Sequence, residues 1–234
     1  MKKTLTILCI AGLFAFTVSE TQAQDTRFGI KGGLSFYKVA GDFSIDLMGS
    51  SLSETFDTGT KMGFHGGIFM EKPLNQFFSI QPEVNFMQKG SRESDDFGDD
   101  IDSFFGAFED DGVTMSYIDV PLLLKLNIPL GDNLTPFLSA GGYLGYLLGA
   151  EVKFEGSTED ISNDVKDISY GLLFGAGVNF GFIFLEARYD HGMSNLFEND
   201  LFTSGEFNNN FNGDFGIDVN IKNRGISLAV GFIF

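Results

Sequence analysis

Alternation with a period of two residues, repeated along most of the chain, is the feature that most restricts its fold. The last ten residues show it most clearly. Ile226, Leu228, Val230, Phe232 and Phe234 fall on one face, and Gly225, Ser227, Ala229, Gly231 and Ile233 fall on the other. Successive side chains of a strand point to opposite faces, so this pattern predicts a strand with two unlike sides. Residues 78–87 repeat the split, setting Phe78, Ile80, Pro82, Val84 and Phe86 against Ser79, Gln81, Glu83, Asn85 and Met87. In 117–128, Ile118, Val120, Leu122, Leu124, Leu126 and Ile128 oppose Tyr117, Asp119, Pro121, Leu123, Lys125 and Asn127. In 183–190, Ile183, Leu185, Ala187 and Tyr189 oppose Phe184, Glu186, Arg188 and Asp190. Residues 28–37, 62–71, 136–152 and 170–180 follow the same rule, with Gly frequent on the second face.

Eight such segments of about ten residues or more have the length a tilted strand needs to cross a bilayer. A soluble sandwich turns polar residues outward and packs large apolar ones inside. Here one face is continuously apolar, while the other is too small and too charged for an ordinary core. Lipid outside and a narrow polar interior account for both faces. The expected fold is therefore all-β, an eight-stranded antiparallel up-and-down transmembrane barrel. Closure removes the unpaired strand edges that hydrocarbon does not tolerate.

The connections agree with this reading. Long segments at 40–60, 91–113, 155–167 and 195–220 alternate with tight turns at Pro73-Leu74-Asn75-Gln76, at Pro129 to Asn133 and around Gly181. Long outer loops and short periplasmic turns are the rule for bacterial barrels, and an even strand count puts both ends on the periplasmic side. The four long segments carry net charges of −4, −8, −4 and −5, against a net charge of −17 for the whole chain. A charge of that sign excludes a nucleic-acid partner, which requires a basic face for phosphates. An aromatic content of 15% excludes a disordered chain.

Residues 1–23 read as a secretory signal peptide, leaving residues 24–234 as the barrel domain. Lys2 and Lys3 precede an apolar run from Leu5 to Val18, and Thr21-Gln22-Ala23 places small residues at −3 and −1 of a cut. The run is too short for a spanning helix. Cys9 is the one cysteine and lies inside that segment, preceded by Leu8 rather than a small residue, so neither a disulfide nor a lipid anchor is expected.

Several stretches resemble the PorT-like outer-membrane β-barrel proteins of Bacteroidota. They are Gly29-Ile30-Lys31-Gly32-Gly33-Leu34-Ser35, Gly63 to Phe69, and Ile80-Gln81-Pro82-Glu83-Val84-Asn85-Phe86. Tyr117-Ile118-Asp119-Val120-Pro121-Leu122-Leu123-Leu124-Lys125, Pro136 to Gly145 and the Arg188-Tyr189 segment complete the series. The resemblance covers nearly all strands and turns but none of the long loops. It implies an outer-membrane barrel, mostly without assigned activity. Some members of that family are similar to a component needed for type IX secretion.

Nine ionisable residues are expected inside: Lys31, His65, Glu71, Glu83, Asp119, Lys125, Glu186, Arg188 and Asp190. An eight-stranded barrel is filled by its own side chains, and charges buried there must pair. A salt-bridged plug is the expectation, with an ion or proton path as the alternative. Asp190-His191-Gly192, with Ser194 nearby, raises the possibility of a hydrolase. Adjacent strand residues point to opposite sides, however, and no G-x-S-x-G elbow is present, so no catalytic residue is assigned and no enzyme is expected. The run Asp95-Asp96-Phe97-Gly98-Asp99-Asp100-Ile101-Asp102 is acidic enough for loose divalent binding. It lacks the Gly at position six and the Glu at position twelve of an EF-hand loop, and no metal site is assigned. Phe97, Phe104, Phe105 and Phe108 nearby would fold over the mouth or meet a partner. Gly141, Gly145, Gly175 and Gly177 sit in mid-strand with no helix after them, which excludes a phosphate cradle; no cofactor is expected.

The sequence thus points to an outer-membrane protein with a structural or interaction role. Its expected partners are outer-membrane lipid, the barrel-assembly machinery during insertion, which would read Phe232 and Phe234, and a protein at the surface or in a secretion machine. The alternatives are an accessory role in a type IX-like machine and transport of small solutes.

Overall fold

In the computed structural model, the described residues are 26–47, 50–92, 111–130, 134–154, 156–196 and 215–234, with the backbone alone described for 42–57 and 215–220. They form ten strands: β1 (Arg27–Leu47), β2 (Ser50–Asp57), β3 (Gly59–Pro73), β4 (Phe78–Arg92), β5 (Gly112–Asn127), β6 (Leu134–Phe154), β7 (Ser157–Asp160), β8 (Ile168–Phe180), β9 (Ile183–Gly192) and β10 (Phe215–Ile233). Eight of these are staves. They run β10-β9-β8-β6-β5-β4-β3-β1, every pairing is antiparallel, and β1 pairs with β10 to close the ring. The remaining two are short: β2 folds back on the upper part of β1, and β7 on the end of β6.

The alternation read from sequence becomes two surfaces. Ile30, Phe64, Ile68, Ile80, Leu122, Leu124, Leu138, Leu144, Phe174, Leu185, Leu228 and Val230 all stand exposed on the outer wall. Their strand neighbours, such as Ser79, Gln81, Glu83, Asp119, Lys125, Glu186 and Arg188, are buried in the lumen. A continuous apolar belt of this kind is the surface that hydrocarbon covers.

The turns at one end are tight. At 73–77 the Asn75 side-chain oxygen accepts from the amides of Phe77 and Phe78, both at 2.9 Å, and a carbonyl of Phe78 accepts from Leu74 at 2.7 Å. Gly181 turns β8 into β9 with φ +58°, a left-handed conformation that an L side chain rarely adopts.

At the other end the strands run farther than the hydrophobic pattern shows. β1 continues to Leu47 and β10 begins at Phe215, although 40–60 and 195–220 read as loops. There the period-two alternation continues but changes parity: Phe43, Ile45 and Leu47 alternate with Asp42, Ser44 and Asp46, and Ile217, Val219 and Ile221 with Asp218 and Asn220, the polar residues now taking the register positions that are apolar lower on the wall. Val39–Leu47 pair with Asn223–Phe215, and Ala40–Leu47 with Asp57–Ser50, giving a three-stranded ribbon that continues one side of the wall. The acidic run 95–102 and Phe104, Phe105 and Phe108 lie outside the described residues, as do residues 1–25.

Closure depends on small residues at the β1–β10 seam. A Cβ on Gly33, which faces inward, would collide with the carbonyl oxygen of Leu228. One on Gly32, which faces outward, would meet the carbonyl of His65 at an ordinary 3.6 Å. The membrane-extracted protein should run faster unboiled than boiled on a gel. Gly33→Val should weaken or abolish that shift, with a destabilisation of about 1–3 kcal/mol from overpacking. Gly32→Ala should keep it.

Candidate functional site

The described side chains of the lumen lie in layers. Near the periplasmic turns Glu71, with no solvent exposure, accepts from Arg27 at 2.8 Å, Lys125 at 3.1 Å and Ser79 at 2.8 Å. The Lys125 ammonium also donates to Gln81 at 3.3 Å and lies 3.9 Å from the centre of the Phe137 ring. Phe69, Phe137, Phe184 and Ile233 pack around this level, with Phe69 and Phe184 edge to face at 5.4 Å.

The middle layer is a four-charge cluster from three parts of the ring. Arg188 on β9 grips Glu83 on β4 with two nitrogens, each bond 2.9 Å, and reaches Glu186 at 2.8 Å. Lys31 on β1 bridges the same carboxylates at 2.7 and 3.4 Å. Gln81 and Asn85 donate to Glu83 at 2.7 and 2.8 Å. Two cations therefore face two anions, and Glu83 accepts from four donors. A bidentate arginine fork of this kind is among the stronger charge-assisted contacts available to a carboxylate.

The upper layer surrounds Lys89. Its ammonium is 2.9 Å from Asp119 and 3.3 Å from Asp190, and the Tyr37 hydroxyl donates to Asp190 at 2.8 Å. The rings of Tyr143, Tyr117 and Tyr37 surround it at 4.2, 5.2 and 5.6 Å from their centres. Aromatic faces attract a desolvated ammonium through their quadrupoles.

Above Lys89 the mouth is sealed by apolar side chains. Val39, Met115, Tyr117, Leu147, Ala150, Val165 and Leu196 form one buried cluster, joined by Ile161. Val165 and Ile161 belong to the connection between β7 and β8, and Leu196 follows β9. Backbone bonds hold these segments in place: Ile161 N to Ala150 O at 2.9 Å, Lys166 N to Leu196 O at 2.8 Å and Leu196 N to Ile221 O at 2.8 Å. Outside the seal, the exposed Asp160 accepts from the amide and hydroxyl of Ser162, which holds its carboxyl below the usual range.

All nine residues expected inside are buried there. Lys61, Lys89 and Arg92 are buried charges that sequence reasoning missed, and Lys89 is the one that organises the upper layer. Lys89 continues the inward parity of Glu83, Asn85 and Met87 by one more step and ion-pairs with both Asp119 and Asp190. The hydrolase arrangement is not assembled: Asp190 is held in the lumen by Lys89 and Tyr37, whereas His191 lies on the outer wall beside Tyr189, 3.5 Å from its hydroxyl. The Ser194 hydroxyl accepts from the Tyr170 amide at 3.2 Å. The mid-strand glycines make room. A Cβ on Gly145 would strike Asp119 and Ser169, and one on Gly175 would strike Ser139. Among the described residues no group of three or more His, Cys, Asp or Glu side chains is placed to hold a metal ion.

A closed ring of eight tilted staves with an apolar belt and an ion-paired bore defines an outer-membrane β-barrel. Residues 22–198 match the outer membrane protein beta-barrel domain family, and the chain belongs to that family. The protein is therefore placed in the cell outer membrane. Solved structures similar to it include OprG of Pseudomonas aeruginosa, 14% identical, with a TM-score of 0.47 over 89% of this chain and 95% of that one. Ail of Yersinia pestis is 15% identical with a TM-score of 0.34, covering 87% and 99% of the two chains. Neisserial surface protein A is 13% identical with a TM-score of 0.39, covering 86% and 97%. No curated protein matches the chain in sequence.

Removing one partner from a buried ion cluster leaves uncompensated charge, a loss of about 3–5 kcal/mol. Glu83→Ala strands both Lys31 and Arg188, whose other shared acceptor is Glu186. Its free energy of unfolding, measured by guanidinium titration of the barrel reconstituted in lipid, should fall by that amount.

Proposed function

We propose that this barrel acts through its outward surfaces, as a structural or interaction protein of the outer membrane, and neither conducts solutes nor catalyses a reaction. The observation that carries this reading is the occupied lumen. Three charged layers, two of them bounded by aromatic side chains, and an apolar cluster above them occupy the bore at successive levels. What is left to meet other molecules is the lipid-facing wall, the ribbon of β1, β2 and β10, and the acidic segments outside.

The resemblance to PorT-like proteins fits the same reading and explains its own limits. Gln81, Glu83, Asp119 and Lys125, which belong to its most specific stretches, are members of the buried ion network. Shared plug residues argue for a shared way of filling a narrow barrel. They say nothing about which partner the loops meet, so a role in a type IX-like machine is the narrower form of this proposal.

In planar bilayers the purified protein should give no stable channels. A Val165→Ser/Leu196→Ser variant, which loosens the seal, should stay silent too, because the ion layers below it remain. Uniform conductance steps from the wild-type protein would overturn the proposal. The interaction role is tested by replacing residues 44–53 with a two-residue Asn-Gly turn. That variant should still reach the outer membrane and stay heat-modifiable, while losing whatever protein cross-links to the intact ribbon. Recovery of secretion-machine subunits among those cross-links would establish the narrower form.

A further inference from the structure

In the upper layer of the bore one amine meets two acids. The Lys89 nitrogen lies 2.9 Å from Asp119 of β5 and 3.3 Å from Asp190 of β9. All three residues are more than nine-tenths buried, and the rings of Tyr37, Tyr117 and Tyr143 enclose the amine. Lys89 is opposite Met115 in register and Asp119 is opposite Asn85, so the lysine stem runs diagonally over two same-face steps to the adjacent stave. The second oxygen of each acid, Asp119 Oδ1 and Asp190 Oδ1, accepts no hydrogen bond among the described residues. An amine, a carboxyl to acylate it and a second carboxyl to carry the proton are the three groups that an amide condensation needs.

We infer that Lys89 and Asp119 condense to an amide, a covalent cross-link between β4 and β5, with Asp190 as the catalytic acid and base. Burial makes it costly to keep both partners ionised, and the 2.9 Å contact lets the ammonium pass a proton to Asp119 Oδ2. A neutral amine then stands beside a neutral carboxyl. Its nitrogen is within about 4 Å of Cγ, and a small rotation of the carboxyl brings it to the roughly 3–3.5 Å of a near-attack geometry. The amine lone pair forms the Nζ–Cγ bond. Asp190 takes the proton that the nitrogen sheds and returns it to the Asp119 hydroxyl, whose bond to Cγ breaks as water leaves. One ammonium and one carboxylate become one amide and one water, with no oxidant, reductant or co-reactant. Tyr37, donating to Asp190 at 2.8 Å, holds that carboxylate in place through both transfers. Groups held in this way react with effective molarities of about 10⁵–10⁸ M, so a minor neutral population suffices. The product closes the chain between β4 and β5 into a covalent loop at the outer end of the barrel.

The test is mass spectrometry of the full-length barrel, purified from outer membranes and denatured. The wild-type chain should be lighter by one water, about 18 Da, than the sequence from its observed N-terminus. A protease digest should contain one branched peptide joining Lys89 to Asp119, with no cleavage after Lys89. Lys89→Arg keeps the charge and both carboxylates, and it should show the full mass. Asp190→Asn keeps the shape but cannot accept the proton, and it should leave most chains at full mass. Heat-modifiability checks that each variant is folded, and the wild-type digest decides the question even where a variant is not. Linear peptides with unmodified Lys89 and Asp119 from the folded wild-type protein would overturn the cross-link. A branch to Asp190 in place of Asp119, or complete condensation in folded Asp190→Asn, would overturn the assigned roles.

Discussion

Charge neutralisation inside a bore lined by buried ionisable side chains is the constraint on which the rest of this structure depends. Glu83 shows how it is met. With no solvent exposure, the carboxylate takes both nitrogens of the Arg188 fork, the Lys31 ammonium and two amides. Those donors come from β1, β4 and β9, which are far apart in the chain and reach one another only when the ring is closed. The cluster consequently rewards closure itself. Its net worth over an apolar filling is small in general, because desolvation offsets much of the Coulomb attraction. What it supplies is register: a one-residue slip of any contributing stave would turn a charge onto the lipid wall, where no partner exists.

That coupling explains why the architecture was so legible. Each stave carries its own face assignment in its period-two pattern, and the nine expected lumen charges are all inside. The reading stopped short where the physical signal stopped. Lys89 was missed because the strand containing Glu83 seemed to end at Met87, although β4 runs to Arg92. In the ribbon of β1, β2 and β10 the rhythm persists, with Phe43, Ile45 and Leu47 against Asp42, Ser44 and Asp46, but it is of opposite parity to the lipid-facing rhythm below, and a reading that follows one apolar face along the strand stops where that face turns polar. The seal was invisible for a related reason. Val165 is a single apolar residue among polar ones and Leu196 lies in a short Leu196-Phe197 pair between polar residues, and only the fold shows that Val165 and Leu196 reach the same mouth.

The site was less legible than the fold because its chemistry is a matter of pairing rather than of residue type. Asp190 beside His191 looks like a catalytic pair in a line of text. On a strand the two residues face apart, one toward Lys89 in the bore and the other toward Tyr189 on the wall.

A filled interior also changes what sequence similarity in such a barrel can mean. Residues that must fit one another in the bore are held to a narrow choice, since each replacement strands a partner. Loops and outer-wall positions carry no such mutual requirement. Motifs such as Gln81-Pro82-Glu83 therefore report how the barrel is filled, and relatives that share them share a scaffold. Positions free of that packing constraint, such as those of the ribbon, are not held to it. It is at those surfaces that a specific role has to be sought.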